Sequence, residues 1–124
     1  MSRRRRKPSP RVYISSPYSG GNKDENVQRA EEAWHTLLAN GYNPFCPHLT
    51  HFLYELKPLA YKHWLKYNLS WLDQCEALLR LPGKSKGADD EVAYAQLQGI
   101  KIFFGIEELD AHYKPKGVVL GFEQ

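Results

Sequence analysis

The sequence predicts an α/β protein in which a parallel sheet of four or five strands is wrapped by helices. Short apolar or β-branched segments alternate with longer segments whose apolar residues recur every three or four positions, which gives the order βαβαβαβ. The length of 124 residues suits a single domain, and 42% hydrophobic residues suffice for a core. We therefore expect one domain over residues 11–124, preceded by a disordered basic tail over residues 1–10.

The first half of the chain predicts a strand, a loop, a helix and a second strand. Residues 12–16 are β-branched and aromatic and predict a strand, and the Pro- and Gly-containing residues 17–21 predict a loop. Helix N-cap candidates stand at 22–24, and helical spacing continues to Asn40-Gly41, a pair suited to a left-handed C-cap. Residues 42–47 contain two prolines and predict a short strand, which we expect near a sheet edge.

The second half repeats this alternation. A loop carrying His48 and His51 precedes a helix over residues 58–74. Residues 77–81 are an apolar run typical of a central parallel strand. After a loop at 83–87, the remaining elements are a helix, a strand, a short helix and a candidate fifth strand, predicted over residues 88–98, 100–104, 107–113 and 118–120.

The loops 17–21 and 83–87 both follow strands, so they should meet at one edge of the sheet. Ligands of such sheets bind at that edge, where the strand order reverses. Glu91 falls about one turn into the helix behind the second loop, so its carboxylate can point into the cleft. Ser85 offers a hydroxyl beside the unpaired N–H groups of the helix. The alternative is a well-capped helix with acidic first-turn residues and no chemistry.

Charge and cysteine content limit the classes of function. Residues 3–7 hold five of the 17 basic residues, and the rest of the chain has 12 basic and 14 acidic residues, a formal charge of −2. The tail is therefore expected to be a solubilising extension, with non-specific nucleic-acid contact as the alternative. We expect no membrane span and no secretory signal. Cys46 and Cys75 are expected to be reduced thiols in a cytoplasmic protein.

Three segments together resemble the nucleoside 2-deoxyribosyltransferase superfamily, which includes the deoxynucleoside 5′-monophosphate N-glycosidases. The resemblance runs from Val12 to about Leu109. Within the superfamily, the chain looks most like a branch of small bacterial and phage domains. The segments are Val12 to Gly21, Asn68-Leu-Ser-Trp-Leu with Cys75-Glu-Ala, and Ser85-x-Gly-x-x-x-Glu91 with Ala95 and Gly99. It implies a three-layer Rossmann- or flavodoxin-like fold, a homodimer or higher oligomer, and cleavage or transfer at an N-glycosidic bond.

The resemblance also implies roles for single residues. Glu91 matches the nucleophile that forms a glycosyl-enzyme intermediate, and Tyr13 matches a tyrosine that orients this carboxylate. Ser85 and Gly87 match positions that line the sugar or 5′-phosphate pocket. The first loop adds hydroxyls and bare backbone as substrate-binding candidates, namely Ser16, Pro17, Tyr18, Ser19 and Gly20.

The chain departs from the family pattern at two positions. Asn68 stands where the family usually has an aspartate that holds the sugar and helps to protonate the base, and an amide is neither an acid nor a base. Asp73 or Asp89 would then supply the proton, or the chain is slow, inactive or altered. Ser19 replaces an arginine of phosphate-hydrolysing members, for which His48, His51 or Lys86 would compensate.

The sequence predicts no metal and no cofactor. His48 and His51 are accompanied by no ligand cluster, and the first loop has neither a Walker lysine nor the G-x-G-x-x-G pattern. The histidine loop is expected either to contact a base or phosphate or to be structural. The three tryptophans are expected in the core or at a subunit interface rather than as stacking platforms; they are Trp34, Trp64 and Trp71.

The function predicted from these residues is N-glycosidic cleavage or transfer on a nucleoside or nucleoside 5′-monophosphate, with Glu91 as nucleophile. The main alternative is a binding module that holds a nucleotide or ADP-ribose-like ligand without turning it over, which Asn68 favours. A third possibility is a nucleic-acid-associated protein that acts through its arginine-rich tail. The base, the sugar and the acceptor stay open.

Overall fold

The computed structural model describes residues 9–115 and 117, without the side chains of His51 and Tyr54. Four strands lie in the described part, β1 (Arg11–Ser15), β2 (Asn43–Phe45), β3 (Ala77–Arg80) and β4 (Lys101–Phe103). Five α-helices accompany them, α1 (Lys23–Asn40), α2 (His51–Leu56), α3 (Tyr61–Leu72), α4 (Lys86–Gln98) and α5 (Ile106–Tyr113). A 3-10 turn, Pro47–Thr50, precedes α2.

The four strands form one parallel sheet in the order β2-β1-β3-β4. Tyr13 lies opposite Phe45 on one side and Leu78 on the other, so β1 is central and β2 is an edge strand. The chain moves from β1 outward to β2 and then returns to the other side of β1 at β3. The strand order therefore reverses between β1 and β3. The predicted fifth strand over 118–120 and residues 1–8 of the predicted tail lie outside the described residues.

Helices cover both faces of the sheet, which confirms the three-layer α/β fold. Alternate residues of β1 face opposite layers. Val12 and Ile14 pack with residues of α1 and α5, and Tyr13 packs with residues of α3 and α4. The first layer buries Ala30, Ala33, Leu37 and Leu109, and the second buries Leu72 and Ala95.

Caps fix the ends of the two helices that follow the predicted loops. The Asn22 side chain accepts from the Glu25 amide at 3.0 Å at the start of α1, and Ser85 Oγ accepts from the Ala88 amide at 3.1 Å at the start of α4. Gly41 ends α1 with φ 104°, a left-handed conformation in which glycine is favoured. Helix α4 begins at Lys86, two residues before its predicted start.

The prediction that His48 and His51 lie in a loop is wrong, because this segment forms the 3-10 turn and α2. Helical periodicity reveals a helix only when one face is buried, and the described apolar side chains of α2 are exposed: Phe52, Leu53 and Leu56 are 67%, 62% and 79% exposed. The helix predicted over 58–74 is shorter and spans Tyr61–Leu72.

Candidate active site

A cavity of about 450 Å³ opens at the carboxyl ends of β1 and β3, where the strand order reverses. Its walls come from the loops after β1 and β3, the 3-10 turn, α3 and the first turns of α4. They comprise Ile14, Ser16, Tyr18, Ser19, Gly20, Pro47, His48, Tyr61, Trp64, Leu65, Asn68, Lys84, Ser85, Lys86, Gly87, Ala88 and Glu91.

The two loops meet as the sequence predicts. A Cβ placed on Gly83 would lie 2.7 Å from Cγ of Pro17, and a Cβ on Gly20 would lie 3.5 Å from the Lys84 carbonyl oxygen. Gly83 also has φ 120°. Only glycine fits this position without strain, because both the approach of the Pro17 ring and the backbone angle exclude a side chain.

Glu91 lies in the cavity wall and is 7% exposed. The Tyr13 hydroxyl donates to Glu91 Oε2 at 2.6 Å, and the Ser15 hydroxyl donates to Oε1 at 2.7 Å. Tyr13 and Ser15 are two positions apart on β1 and face the same layer. Each carboxylate oxygen thus accepts one hydrogen bond and keeps lone-pair capacity for a ligand.

Burial raises the pKa of Glu91 above its ordinary value, while the bonds from Tyr13 and Ser15 and the charge of Arg80 oppose that rise. Burial and the nearby Glu91 charge raise the pKa of Tyr13. Tyr13 therefore keeps its proton and acts as a hydrogen-bond donor.

Arg80 braces the second loop from the end of β3. Its guanidinium donates to the carbonyls of Leu81 and Gly83 and to Asp89 Oδ1, the last at 3.1 Å. These bonds connect the strand, the loop and the first turn of α4. Arg80 thus acts on Glu91 through its charge while its own hydrogen bonds go elsewhere.

His48 fixes the first loop. Its Nε2 lies 2.7 Å from the Pro17 carbonyl oxygen and 3.0 Å from Ser16 Oγ. A carbonyl only accepts, so Nε2 carries the hydrogen and donates it to Pro17. The Ser16 hydroxyl cannot donate to a protonated Nε2, and its own hydrogen is available to a ligand. Asn26 of α1 holds the same loop, donating to the carbonyls of Tyr18 and Gly20 at 3.1 and 2.6 Å.

Asn68 brings a buried amide to the cavity from α3. It is 5% exposed, and its Oδ1 has no hydrogen-bond partner among the described residues. A buried acceptor without a partner carries a desolvation cost that a ligand N–H or O–H group would remove. Two further residues of the same helix line the cavity: Trp64, four residues before Asn68, and Tyr61, three residues before Trp64.

A charged group borders the cavity where α3 meets α4. The Tyr61 hydroxyl donates to Asp90 Oδ2 at 2.7 Å, and Lys86 Nζ donates to the same oxygen at 2.9 Å. These bonds lower the pKa of Asp90, which is therefore a carboxylate that accepts both hydrogen bonds at Oδ2.

A model of a domain of unknown function, DUF7768, matches residues 10–105. The chain belongs to this family. Among solved structures, this DUF7768 protein is similar to a 2-deoxyribosyltransferase from the psychrotolerant bacterium Bacillus psychrosaccharolyticus, with a TM-score of 0.54 and 16% identity over 91% of this chain and 78% of that chain. At this identity the similarity shows the fold alone. No curated protein matches the sequence.

Most of the predicted site residues of this DUF7768 domain line one cavity. They are Ser16, Tyr18, Ser19, Gly20, His48, Asn68, Ser85, Gly87 and Glu91. Tyr13 lies behind Glu91, and Pro17 contributes its carbonyl to His48. The side chain of His51 lies outside the described residues.

Both carboxylates suggested as proton sources lie away from the cavity wall. Asp73 accepts from the Tyr94 hydroxyl at 2.7 Å, and Asp89 is paired with Arg80. Trp64, expected in the core or at an interface, lines the cavity instead. Trp34 packs against the core as expected, and the half-exposed Trp71 stacks on Phe45 with centroids 5.5 Å apart.

The sequence pattern did not reveal two sets of hydrogen bonds: the one from Ser15 to Glu91, and those from Asn26 that hold the first loop. Ser15 carries a detectable signal, because it lies two residues after Tyr13 on the same strand face.

Among residues 9–115 and 117, no helix is long and apolar enough to cross a membrane.

Proposed function

We propose that this DUF7768 protein cleaves or transfers at the N-glycosidic bond of a nucleoside or nucleoside 5′-monophosphate through a glycosyl-Glu91 intermediate. One observation carries the proposal: a buried carboxylate in the cavity wall, held at both oxygens by neutral hydroxyl donors. The structural neighbour, described as a biocatalyst for the synthesis of nucleosides, supports the same class of reaction.

In the proposed first step, a Glu91 oxygen attacks the anomeric carbon, and the electron pair of the glycosidic bond remains on the base nitrogen. Tyr13 and Ser15 hold the carboxylate in one orientation throughout. In the second step water or another base attacks the same carbon, and Glu91 leaves with the ester electron pair. The attacking group loses a proton, which passes through solvent to the departed base anion. The two hydroxyls then stabilise the returning negative charge.

The substrate would lie between the loop walls and α3. The Ser16 and Ser85 hydroxyls and the Asn68 Oδ1 would contact the sugar, and the Trp64 ring would contact the base. A 5′-phosphate would lie near Lys84 and the first amides of α4.

The direct test is Glu91→Gln, assayed by chromatography of released base from nucleosides and their monophosphates. We expect base release to fall by on the order of 10³-fold or more while the circular dichroism spectrum is retained. Glu107→Gln on α5, an exposed first-turn residue, is the matched control and should keep full activity. Undiminished release by Glu91→Gln would exclude Glu91 as nucleophile.

The second candidate is a binding module for a nucleotide or ADP-ribose-like ligand, and the observation that favours it is the amide of Asn68. Isothermal titration with ADP-ribose and nucleoside monophosphates separates the two functions. Tight binding without base release by the wild type would support the module.

We further propose a homodimer or higher oligomer in the cytoplasm. The exposed Leu53 and Leu56 of α2 would be covered by a second copy, so the double substitution to Glu should yield monomers in light scattering. Cys46 and Cys75 are buried free thiols, which fits a reducing compartment.

A further inference from the structure

We infer that this site is built for N-glycosides whose leaving group already carries a positive charge, such as N-ribosyl pyridinium compounds. The inference rests on the proposed function and narrows its substrate class. It follows from the acids that the cavity offers, from the amide of Asn68, and from the charge of Glu91.

An uncharged base departs with the electron pair of the broken bond, and its departure needs a proton. A positioned general acid accelerates such reactions by about 10²–10⁴-fold. Among the described residues lining the cavity, Glu91 is the only carboxyl group. It cannot be the acid for the first step, because the proposed reaction uses it as the ionised nucleophile.

Three further proton donors of the wall already have hydrogen-bond partners. The Nε2 hydrogen of His48 goes to the Pro17 carbonyl at 2.7 Å, and losing it would place a nitrogen lone pair against that oxygen. Tyr61 and Lys86 both donate to Asp90, at 2.7 and 2.9 Å. The other protic side chains of the described wall are hydroxyls, an ammonium, an amide and an indole, all of them far weaker acids than a carboxyl group.

Asn68 occupies a position from which a side chain reaches the cavity, but it brings an amide. The buried Oδ1 accepts a hydrogen bond and supplies no proton. A hydroxyl group of the substrate sugar can satisfy it, and the leaving group then departs without a proton from this residue.

A pyridinium leaving group removes the need for an acid. When the bond between the anomeric carbon and the ring nitrogen breaks, both electrons stay on nitrogen, and the pyridine leaves neutral without a proton. The anionic Glu91 forms the ester bond to the same carbon, so two opposite charges disappear in one step. Water then attacks that carbon, loses a proton to solvent, and releases Glu91 as a carboxylate.

The surroundings of Glu91 fit a cationic substrate. Glu91 is 7% exposed, and the hydrogen bonds on its two oxygens come from neutral hydroxyls. An anion in a partly dry site attracts a cation strongly, and a reaction that neutralises both charges is favoured where the dielectric constant is low. The Trp64 ring in the same cavity offers a face that attracts a ring cation.

The test compares nicotinamide riboside and its 5′-phosphate with inosine, uridine and their 5′-monophosphates, which share the ribose but have uncharged leaving groups. For each substrate, kcat/KM is divided by its spontaneous hydrolysis rate. We expect the wild-type ratio to be at least about 100-fold larger for the pyridinium compounds. Equal ratios for the two classes would overturn the inference and leave the proposed function standing.

Asn68→Asp supplies the missing acid. Relative to any change that it causes for the pyridinium substrates, we expect it to raise kcat/KM for inosine and uridine by about 100-fold or more. An equal rise for both classes would mean that the residue acts on binding and would contradict the inference. Asn43→Asp, on the exposed edge strand, is the charge-matched control.

A wild-type measurement covers the case in which Asn68→Asp does not fold. Across N-ribosyl pyridiniums of differing pyridine basicity, log kcat/KM should fall steeply as basicity rises, without a solvent isotope effect. A flat dependence would indicate assisted departure and overturn the inference. Failure of both proteins to release any leaving group from either class would instead refute the proposed function.

Discussion

Tyr13→Phe tests whether the hydroxyl on Glu91 prepares a reacting carboxylate. The substitution removes one oxygen atom, which donates to Glu91 Oε2 at 2.6 Å, and leaves the ring in place beside Phe45. A hydrogen bond to a charged group contributes about 1.5–3 kcal/mol. Loss of that amount from the transition state lowers kcat/KM by about 10- to 160-fold.

The direction in which Tyr13→Phe shifts the pH dependence of kcat/KM can also be predicted. The bond from Tyr13 lowers the pKa of Glu91, whose net shift is upward because of burial. Without that bond the pKa rises further, and a smaller fraction of Glu91 is ionised at any acidic pH. The acidic limb of kcat/KM for base release should therefore move to higher pH in Tyr13→Phe. Ser15→Ala should move it in the same direction.

The matched control is Tyr42→Phe. Tyr42 is also buried, and its hydroxyl donates to Asp110 Oδ1 at 2.8 Å in the layer of α1 and α5, away from the cavity. It should alter stability without moving the pH profile. If Tyr13→Phe leaves both kcat/KM and the acidic limb as in the wild type, Glu91 is not the ionised group that the reaction requires.

Two further predictions concern stability. Burial raises the folded-state pKa of Glu91, so the stability that its protonated form contributes is full below the unfolded-state pKa and is lost as the pH rises through the folded-state pKa. Glu91→Gln should therefore raise the thermal midpoint at pH 7, and this gain should vanish near pH 4. A lower midpoint than that of the wild type at pH 7 would contradict the prediction. Gly83→Ala should cost about 1–3 kcal/mol, or roughly 5–15 °C, because of its positive φ and the contact with Pro17, whereas Gly105→Ala, with open space and an extended φ, should change the midpoint little.

The position of the site could be predicted from the sequence because it depends on topology. Once the order of strands and helices indicates a parallel sheet, the loops at 17–21 and 83–87 must end at one edge. The capped start of α4 then fixes Glu91 relative to that edge within one turn. The meeting of the two loops and the position of Glu91 follow from the local residue pattern and the strand direction, and both can be inferred from a single sequence.

The far wall of the cavity could not be predicted in the same way. Trp64 belongs to an apolar pattern that core helices and cavity-lining helices share, so periodicity does not separate the two. Helix α2 was missed because its exposed apolar face produces no contrast with a polar one. The position of Asp73 outside the cavity wall depends on the direction in which α3 ends, and that direction is set by packing rather than by sequence spacing.

Asn68 links the two chemical features of this site. An aspartate facing the same cavity would be a second negative charge near Glu91, and like charges raise each other's pKa. Burial and, to a smaller extent, the charge of Asp90 already raise the pKa of Glu91, and a carboxylate at position 68 would add to that rise. The amide at 68 thus removes a proton donor for the leaving group and at the same time keeps Glu91 more readily ionised. A site with an ionised nucleophile and no general acid suits a leaving group that departs without a proton. The amide at position 68 is therefore better explained by a cationic substrate than by loss of the acid from an enzyme that acts on uncharged bases.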